Sequence, residues 1–324
     1  MNALDLWPTL RVPSAAILAL QLCLANAVAQ TRGPGVPLQP AVRWAEPEHV
    51  RMLAATNAGE RIVAVGDHGV ILLSDNGREF RQARAVPVSS MLTSVAFVDA
   101  SRGWAVGHWG VVLTTTDGGE TWSLQRSDVT VDQPLFSVYF RSPLDGVAIG
   151  LWSLMLTTHD GGATWKPVSL PLPPGATKAD RNLYTVFGDR TATYVTAEKG
   201  GVLKSTDGGR SWKYLETGFS GSLWSGVVLD DRVCVGGLRG NLLCSRDAGE
   251  SWSPVAQANL SSSISAMASR GPIILVGTSD GGVYELEQGT VRRLNTASAG
   301  SVSALLPNRN ATIVFAASGI ASAK

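Results

Sequence analysis

The sequence predicts an all-β protein: a seven-bladed β-propeller of four-stranded antiparallel blades. Three observations point there. The first is a recurring aspartate turn. Thr115-Thr116-Asp117-Gly118-Gly119-Glu120-Thr121-Trp122 returns as Thr158-His159-Asp160-Gly161-Gly162-Ala163-Thr164-Trp165 and as Ser205-Thr206-Asp207-Gly208-Gly209-Arg210-Ser211-Trp212. Looser copies stand at Ser74-Asp75-Asn76-Gly77-Arg78-Glu79-Phe80 and Ser245-Arg246-Asp247-Ala248-Gly249-Glu250-Ser251-Trp252. The aspartates at 75, 117, 160, 207 and 247 are 42, 43, 47 and 40 residues apart, the spacing of one supersecondary unit copied along a chain. The second is a series of seven apolar runs suited to first strands, near Val50–Ala55, Met91–Phe97, Leu135–Phe140, Leu183–Phe187, Leu223–Leu229, Ile264–Ala268 and Val302–Leu306. The third is composition: 16% charged residues with 35 glycines and 10 tryptophans suits a turn-rich β protein rather than a disordered chain.

The first 29 residues read as a signal peptide outside the fold. Ala15–Ala25 is an apolar core of the right length, and Ala27-Val28-Ala29 before Gln30 is a small-x-small cleavage site. The basic region is weak, with Arg11 opposed by Asp5, so a retained anchor is the alternative, though the run is short for a span. Cys23 follows Leu22, where lipid attachment needs a small residue. Residues 30–41, rich in Gly and Pro, read as a flexible mature N-terminus, and 42–324 as the propeller. No later segment is apolar enough to cross a membrane, so no integral span is expected after cleavage. The product is expected to be exported, periplasmic or in an equivalent lumen, and monomeric.

Each repeat then reads as a meander. In the second, Met91–Phe97 is a strand, Asp99–Arg102 a turn, Gly103-Trp104-Ala105-Val106-Gly107 a strand and His108-Trp109-Gly110 a turn. Val111–Thr115 leads into the aspartate turn, and a fourth strand carries Trp122. In that turn the carboxylate is expected to accept amide hydrogens two and three residues on, with Gly supplying positive φ. Trp122, Trp165, Trp212 and Trp252 restart a strand and pack beneath the turn. The functional alternative for Asp75, Asp117, Asp160, Asp207 and Asp247 is metal ligand or catalytic acid. Five copies doing one job favour the turn staple. The sixth repeat has Glu287-Gln288-Gly289 where the aspartate should stand. A solenoid of the same repeats would need end caps, and none is visible. The chain ends mid-repeat, after Thr312–Ala317, while Val42-Arg43-Trp44-Ala45 precedes the first repeat. N- and C-terminal strands are therefore expected to share the last blade and close the ring.

Cys234 and Cys244 lie symmetrically about Arg239, across the turn Gly236–Gly240. In an oxidising compartment they face each other as a disulfide or stand as two small buried thiols. With four histidines in the chain and none nearby, a metal site there is disfavoured, and no metal or other cofactor is expected. A formal net charge of +1 gives no field that calls for nucleic acid.

The pattern Ser/Thr-x-Asp-x-Gly-x-Thr-Trp resembles the Asp-box, or bacterial neuraminidase repeat, of sialidases, xyloglucanases, sortilin-like receptors and photosystem II stability and assembly factors. Phe97-Val98-Asp99 with Gly103-Trp104-Ala105-Val106-Gly107-His108-Trp109-Gly110, and Ala64-Val65-Gly66-Asp67-His68-Gly69-Val70-Ile71, resemble the last family over residues 42–318. That resemblance implies a seven-bladed propeller without catalysis that serves membrane-protein biogenesis. Relatives occur in bacteria that do not photosynthesise, so photosynthesis itself is not implied. A sialidase would need three arginines on the substrate carboxylate, a Tyr–Glu pair and an acid, and no tyrosine stands out from the repeat.

Topology selects a face without reference to family. Second-to-third-strand turns and blade links share one face, and the aspartate turns share the other with the first-to-second turns. The first face carries Asp67, His68, His108, Trp109, Leu151, Trp152, Glu198, Lys199, Leu238, Arg239, Ser279 and Asp280, and the long Pro171–Asn182 link. Trp109 and Trp152 read as protein anchors or as rings packed sideways on neighbouring turns. His68 and His108 read as a pair that meets or as surface imidazoles. Arg239 is a contact for an acidic partner. Asp67, Glu198 and Asp280 are the carboxylates a hydrolase would draw on. The expected function is an exported, non-enzymatic scaffold for a membrane-protein client, with a glycoside hydrolase or a sugar-binding propeller as alternatives.

Overall fold

The computed structural model describes residues 39–255, 260–296, 300–308 and 311–323; the leader and most of the tail lie outside them. Seven antiparallel sheets follow in chain order. Their innermost strands are Met52–Ala58, Leu92–Phe97, Leu135–Phe140, Leu183–Gly188, Leu223–Leu229, Ile264–Arg270 and Val302–Asn308. Each sits within a residue or three of the apolar run that predicted it. Both faces of every blade meet a neighbour, which is why the second strands are apolar throughout rather than alternating. Val63, Ala64 and Val65 are fully buried, as are Ala105 and Val106.

Each seam between blades has its own apolar cluster. Val147, Ile149, Leu183 and Val195 fill the third-to-fourth, for example. Hydroxyls stitch the innermost strands across seams: Thr93 Oγ1 donates to Leu135 O at 2.6 Å and Ser265 Oγ to Val302 O at 2.6 Å. Two carboxylates clamp seams on the outside. Glu120 of blade two takes Arg61 and Arg81 of blade one, and Glu250 of blade five takes Lys213 of blade four.

Ring closure differs from the expectation. Blade seven has three strands, Val302–Asn308, Ala311–Ala316 and Gly319–Ala323, all from the C-terminal end. Gly319–Ala323 is the strand that the reading of a mid-repeat end missed. Val42–Ala45 does not join that blade. It lies along blade one, because the buried Gln82 amide is satisfied there: Trp44 N donates to Gln82 Oε1 at 3.1 Å and Gln82 Nε2 to Val42 O at 2.8 Å. Blades seven and one are held by packing of Val50, Met52 and Ile62 on Leu306, Ile313 and Phe315. Ser303 Oγ adds one bond, to Met52 O at 2.7 Å.

The aspartate turns bond mainly one residue further along the chain than expected, although Asp207 also accepts from the Arg210 amide, three residues on, at 3.0 Å. Asp117 accepts from the amide and hydroxyl of Thr121, four residues on, at 2.9 and 2.6 Å. Thr164 does the same for Asp160, Ser211 for Asp207 and Ser251 for Asp247. Trp122 and Trp212 donate from Nε1 to Gly119 O and Gly209 O. Trp165 reaches Gln125 instead, and Trp252 Nε1 is buried without a partner among the described residues. In the first copy the staple is not Asp75. Asn76 Oδ1 accepts from the amides of Arg78 and Glu79, while Asp75 pairs with Arg61 at 2.6 Å. The sixth blade turns on Gln288 and Gly289, at φ 48° and 86°, a two-residue hairpin that needs no carboxylate. Cys234 and Cys244 are directly opposite each other on paired strands and form a disulfide.

A pH dependence follows from the staples. The Thr164 hydroxyl and amide hold the Asp160 carboxyl down at about 2. Burial pushes Asp207 up, but Ser211 outweighs it and leaves it at about 2 as well. A carboxylate depressed on folding stabilises above its unfolded value, near 3.8, and loses that contribution as pH falls through the folded value. The urea midpoint should therefore be flat from neutral pH to about 5 and fall steeply between about 4 and 2. Asp160→Asn together with Asp207→Asn should make that fall shallower; an unchanged profile would exclude the staples as its source.

Candidate binding face

The second-to-third-strand turns share one backbone design. In four blades a glycine opens the turn, and a Cβ there would stand about 2 Å from a carbonyl just ahead of the innermost strand. For Gly66 that is Arg51 O at 2.1 Å, and for Gly107 it is Met91 O at 2.1 Å. The next amide donates to the same carbonyl, Asp67 N to Arg51 O at 3.1 Å and His108 N to Met91 O at 3.0 Å. The turn thus hangs from the innermost strand, and glycine permits the approach.

The residue at the tip of these turns is left-handed and is not glycine. His68, Trp109, Trp152, Lys199 and Arg239 have φ of 58°, 58°, 53°, 54° and 58°. Non-glycine residues in this region are strained by about 1 kcal/mol each. Five blades in succession accept that strain and present five large, chemically different side chains. Neighbouring links brace the strained peptides. Asp132 Oδ1 accepts from Trp109 N at 2.8 Å, Asn182 Oδ1 from Trp152 N at 3.1 Å and Ser263 Oγ from Arg239 N at 3.1 Å. Sequence reading missed these three, since they stand at no fixed distance from the turns they hold.

The face divides the expected residues into two groups. Asp67 is paired with Arg51, at 3.1 and 3.3 Å. Glu198 accepts from Asn182 and Tyr184, and Asp280 from Thr278 and the Gly282 amide. Asp280 holds its own turn, while Asp67 and Glu198 tie theirs to residues at the start of the innermost strand. His108 Nδ1 donates to Asp132 Oδ2 at 3.1 Å, while His68 stacks on Trp44 at 5.4 Å, so the two imidazoles have separate partners. Among the described residues no group of three His, Cys, Asp or Glu could hold a metal ion. Trp109 packs sideways on the core between blades one and two. Trp152 is 57% exposed. Lys199 and Arg239 are exposed too.

Apolar side chains gather on this face. Val42, Trp44, Val129, Val131, Trp152 and Leu172 are exposed in its turns, links and N-terminal segment, while Leu124 and Leu144 lie elsewhere. Gln133 Nε2 donates to Leu151 O at 2.9 Å and Ser153 Oγ to Arg181 O at 3.0 Å. The links carrying Val129, Val131 and Leu172 therefore both abut the Trp152 turn. An exposed aromatic tip in a turn abutted by links that carry exposed aliphatic side chains is suited to a protein segment. No helix among the described residues is long and apolar enough to cross a membrane.

Comparison with known proteins places the chain on a familiar architecture. Residues 75–227 match the family model described as Photosynthesis system II assembly factor YCF48. A structure of YCF48 bound to D1 peptide is 17% identical and superposes with a TM-score of 0.66 over 88% of this chain and 98% of that one. YCF48 from Cyanidioschyzon merolae is 16% identical, with a TM-score of 0.64 over 85% and 95%. The RRP9 WD40 repeats reach 0.68 at 10% identity, over 89% and 98%, so these superpositions speak for the fold alone. No curated protein matches the sequence.

Proposed function

From a chain that is a photosystem II assembly factor-like β-propeller, we propose a non-catalytic scaffold, exported from the cytoplasm, that holds a segment of a membrane-protein client on the face of its second-to-third-strand turns. The observation that carries the reading is Trp152. It is an exposed indole on a left-handed backbone whose amide donates to Asn182, in a turn abutted by the links that carry exposed Val129, Val131 and Leu172. Large aromatics of this kind anchor interfaces. The YCF48 structure bound to D1 peptide supports a peptide as the kind of thing held. Export is supported by the leader-like Ala15–Ala29 and by a disulfide, which persists where the compartment is oxidising.

Catalysis has no support in the side chains of this face. Asp67, Glu198 and Asp280 are each engaged by neighbouring groups, which argues against these three as a free carboxylate pair for glycoside hydrolysis. The test is direct. The purified full chain should retain an integral membrane protein from detergent-solubilised membranes of its source and should leave sialosides and β-glucans intact. Sugar release that disappears on substituting Glu198 or Asp280 would establish an enzyme, and glycan retention without any membrane protein would establish a sugar-binding module.

A further inference from the structure

Among the described residues, blade seven lacks the fourth strand that closes the outer edge of the other six, from Arg81–Gln82 in blade one to Thr290–Arg293 in blade six. Its outermost strand is Gly319–Ala323. Beyond the ladder with Ala311–Ala316, that strand's one described backbone pairing is a single bridge from Thr296 to Ala323. The hairpin between the two strands has a two-residue turn, with Ala316 opposite Gly319. Antiparallel pairing alternates, so the next residue, Ile320, turns its N–H and C=O away from the blade.

A cavity of about 1120 Å³ runs along this edge. Residues 318–322 form one wall, and residues 76–80, in the first aspartate turn, form another with Glu48 and His49. Two complete seams show what fills this place elsewhere. Arg81, the first residue of blade one's fourth strand, donates to Glu120 in the aspartate turn of blade two. Lys213, the first residue of blade four's fourth strand, donates to Glu250 in that of blade five. The aspartate turn of blade one meets the cavity instead.

We propose that a partner polypeptide supplies the missing fourth strand, as one extended segment laid beside Gly319–Ala323. Five extended residues are about 17 Å long and, at strand and sheet spacings, occupy roughly 800 Å³, so the cavity accepts them. Backbone groups supply the affinity in such strand addition, and alternate side chains the preference. Ile313, Ile320 and Phe80 line the cavity, so the residues facing blade one are apolar; Arg78, Glu48 and Glu79 give it both signs, so no charge is selected. Two occupants from this sequence fit less well. Residues 30–38 contain Pro34 and Pro37, which cannot donate to a ladder, and the chain enters the described fold on the far side of blade one, where Ala41 N donates to Val86 O. A second copy would carry its own edge behind the same walls. That the partner is the client rests on the reading above, since the edge starts at the second-to-third-strand turn of blade seven; strand addition itself does not.

The probe is the peptide acetyl-KTVTVTK-amide, titrated into the full chain by amide-resolved NMR. It should shift the amides of residues 319–322 saturably and slow hydrogen exchange at Ile320 at least tenfold. Valine and threonine amides point to opposite edges of such a strand. Of two N-methylated forms, one blocked at both valines and one at the three threonines, one should therefore bind like the parent and the other at least tenfold more weakly. Ile320→Pro should weaken the probe about tenfold, and the methylated pair tests the same point on the unaltered chain. Equal binding of the two forms, or shifts confined to other blades, would overturn the proposal. So would faster Ile320 exchange on deleting residues 30–38, which would make the chain's own tail the occupant, or a dimer that Ile320→Pro dissociates. A photo-crosslinking residue at Ser322, irradiated with the source membranes, should reach an integral membrane protein. Failure there with probe binding intact would count against the client as partner and not against the edge.

Discussion

Replacing Phe315 with alanine is expected to lower stability by about 3–5 kcal/mol and to loosen one seam before the rest of the ring. Phe315 is fully buried and meets Phe80 edge-on at 6.1 Å, within the cluster that joins blade seven to blade one. Every other seam is also bridged by the chain passing from one blade to the next. Among the described residues no strand is shared across this seam and no link crosses it; side-chain packing and the Ser303 to Met52 bond span it. A cavity at this seam removes part of the packing that joins the two blades. Hydrogen exchange should show amides of blades one and seven losing protection ahead of blade four. Leu203→Ala, in the third-to-fourth seam, supplies the control, with a similar global cost and no local opening. Uniform loss of protection in Phe315→Ala would mean that the closing seam is no weaker than the others.

Trp152→Ala should weaken client capture by about thirtyfold, the effect of losing an interface anchor worth about 2 kcal/mol. Its unfolding midpoint should stay close to that of the parent, because the indole is 57% exposed and alanine accepts the same left-handed backbone at no greater strain. Arg239→Glu should act in the same direction if the client is acidic and should lessen the salt dependence of capture. Trp109→Ala is the contrast. That ring packs on the core between blades one and two, so its loss should lower stability as well as binding.

Blade number was legible because it rests on local chemistry repeated many times. Strand runs, glycines and aspartate turns each report one blade, and seven innermost strands fell where the apolar runs stood. Closure was not legible, because it depends on which of two edges a terminal segment prefers. The buried amide of Gln82 decides that for Val42–Ala45, and nothing in the spacing announces it. The first aspartate turn shows the limit of matching letters. Asp75 aligns by identity, but Asn76 stands two residues after Ser74, where Asp117 stands after Thr115, and takes the bonds.

The face was legible in outline, since strand order alone sends the second-to-third turns to one side. The division of labour within it was not. Asp67, Glu198 and Asp280 look like free carboxylates in a sequence and are turn supports in three dimensions. Asp132, Asn182 and Ser263 look like ordinary link residues and brace the strained tips. Arg181 and Tyr214 come from a link and an outer strand and become neighbours only when blade four closes over them.

Two reporters on opposite sides of the ring test the central claim most directly. A photo-crosslinking residue placed at Trp152, and in a separate protein at Leu144, which is 56% exposed in a first-to-second-strand turn, should be irradiated with the source membranes. Cross-links to one integral membrane protein from position 152, and none from position 144, are the expected result. The same client reached from position 144 and not from 152 would put the working surface on the side of the aspartate turns and contradict the account.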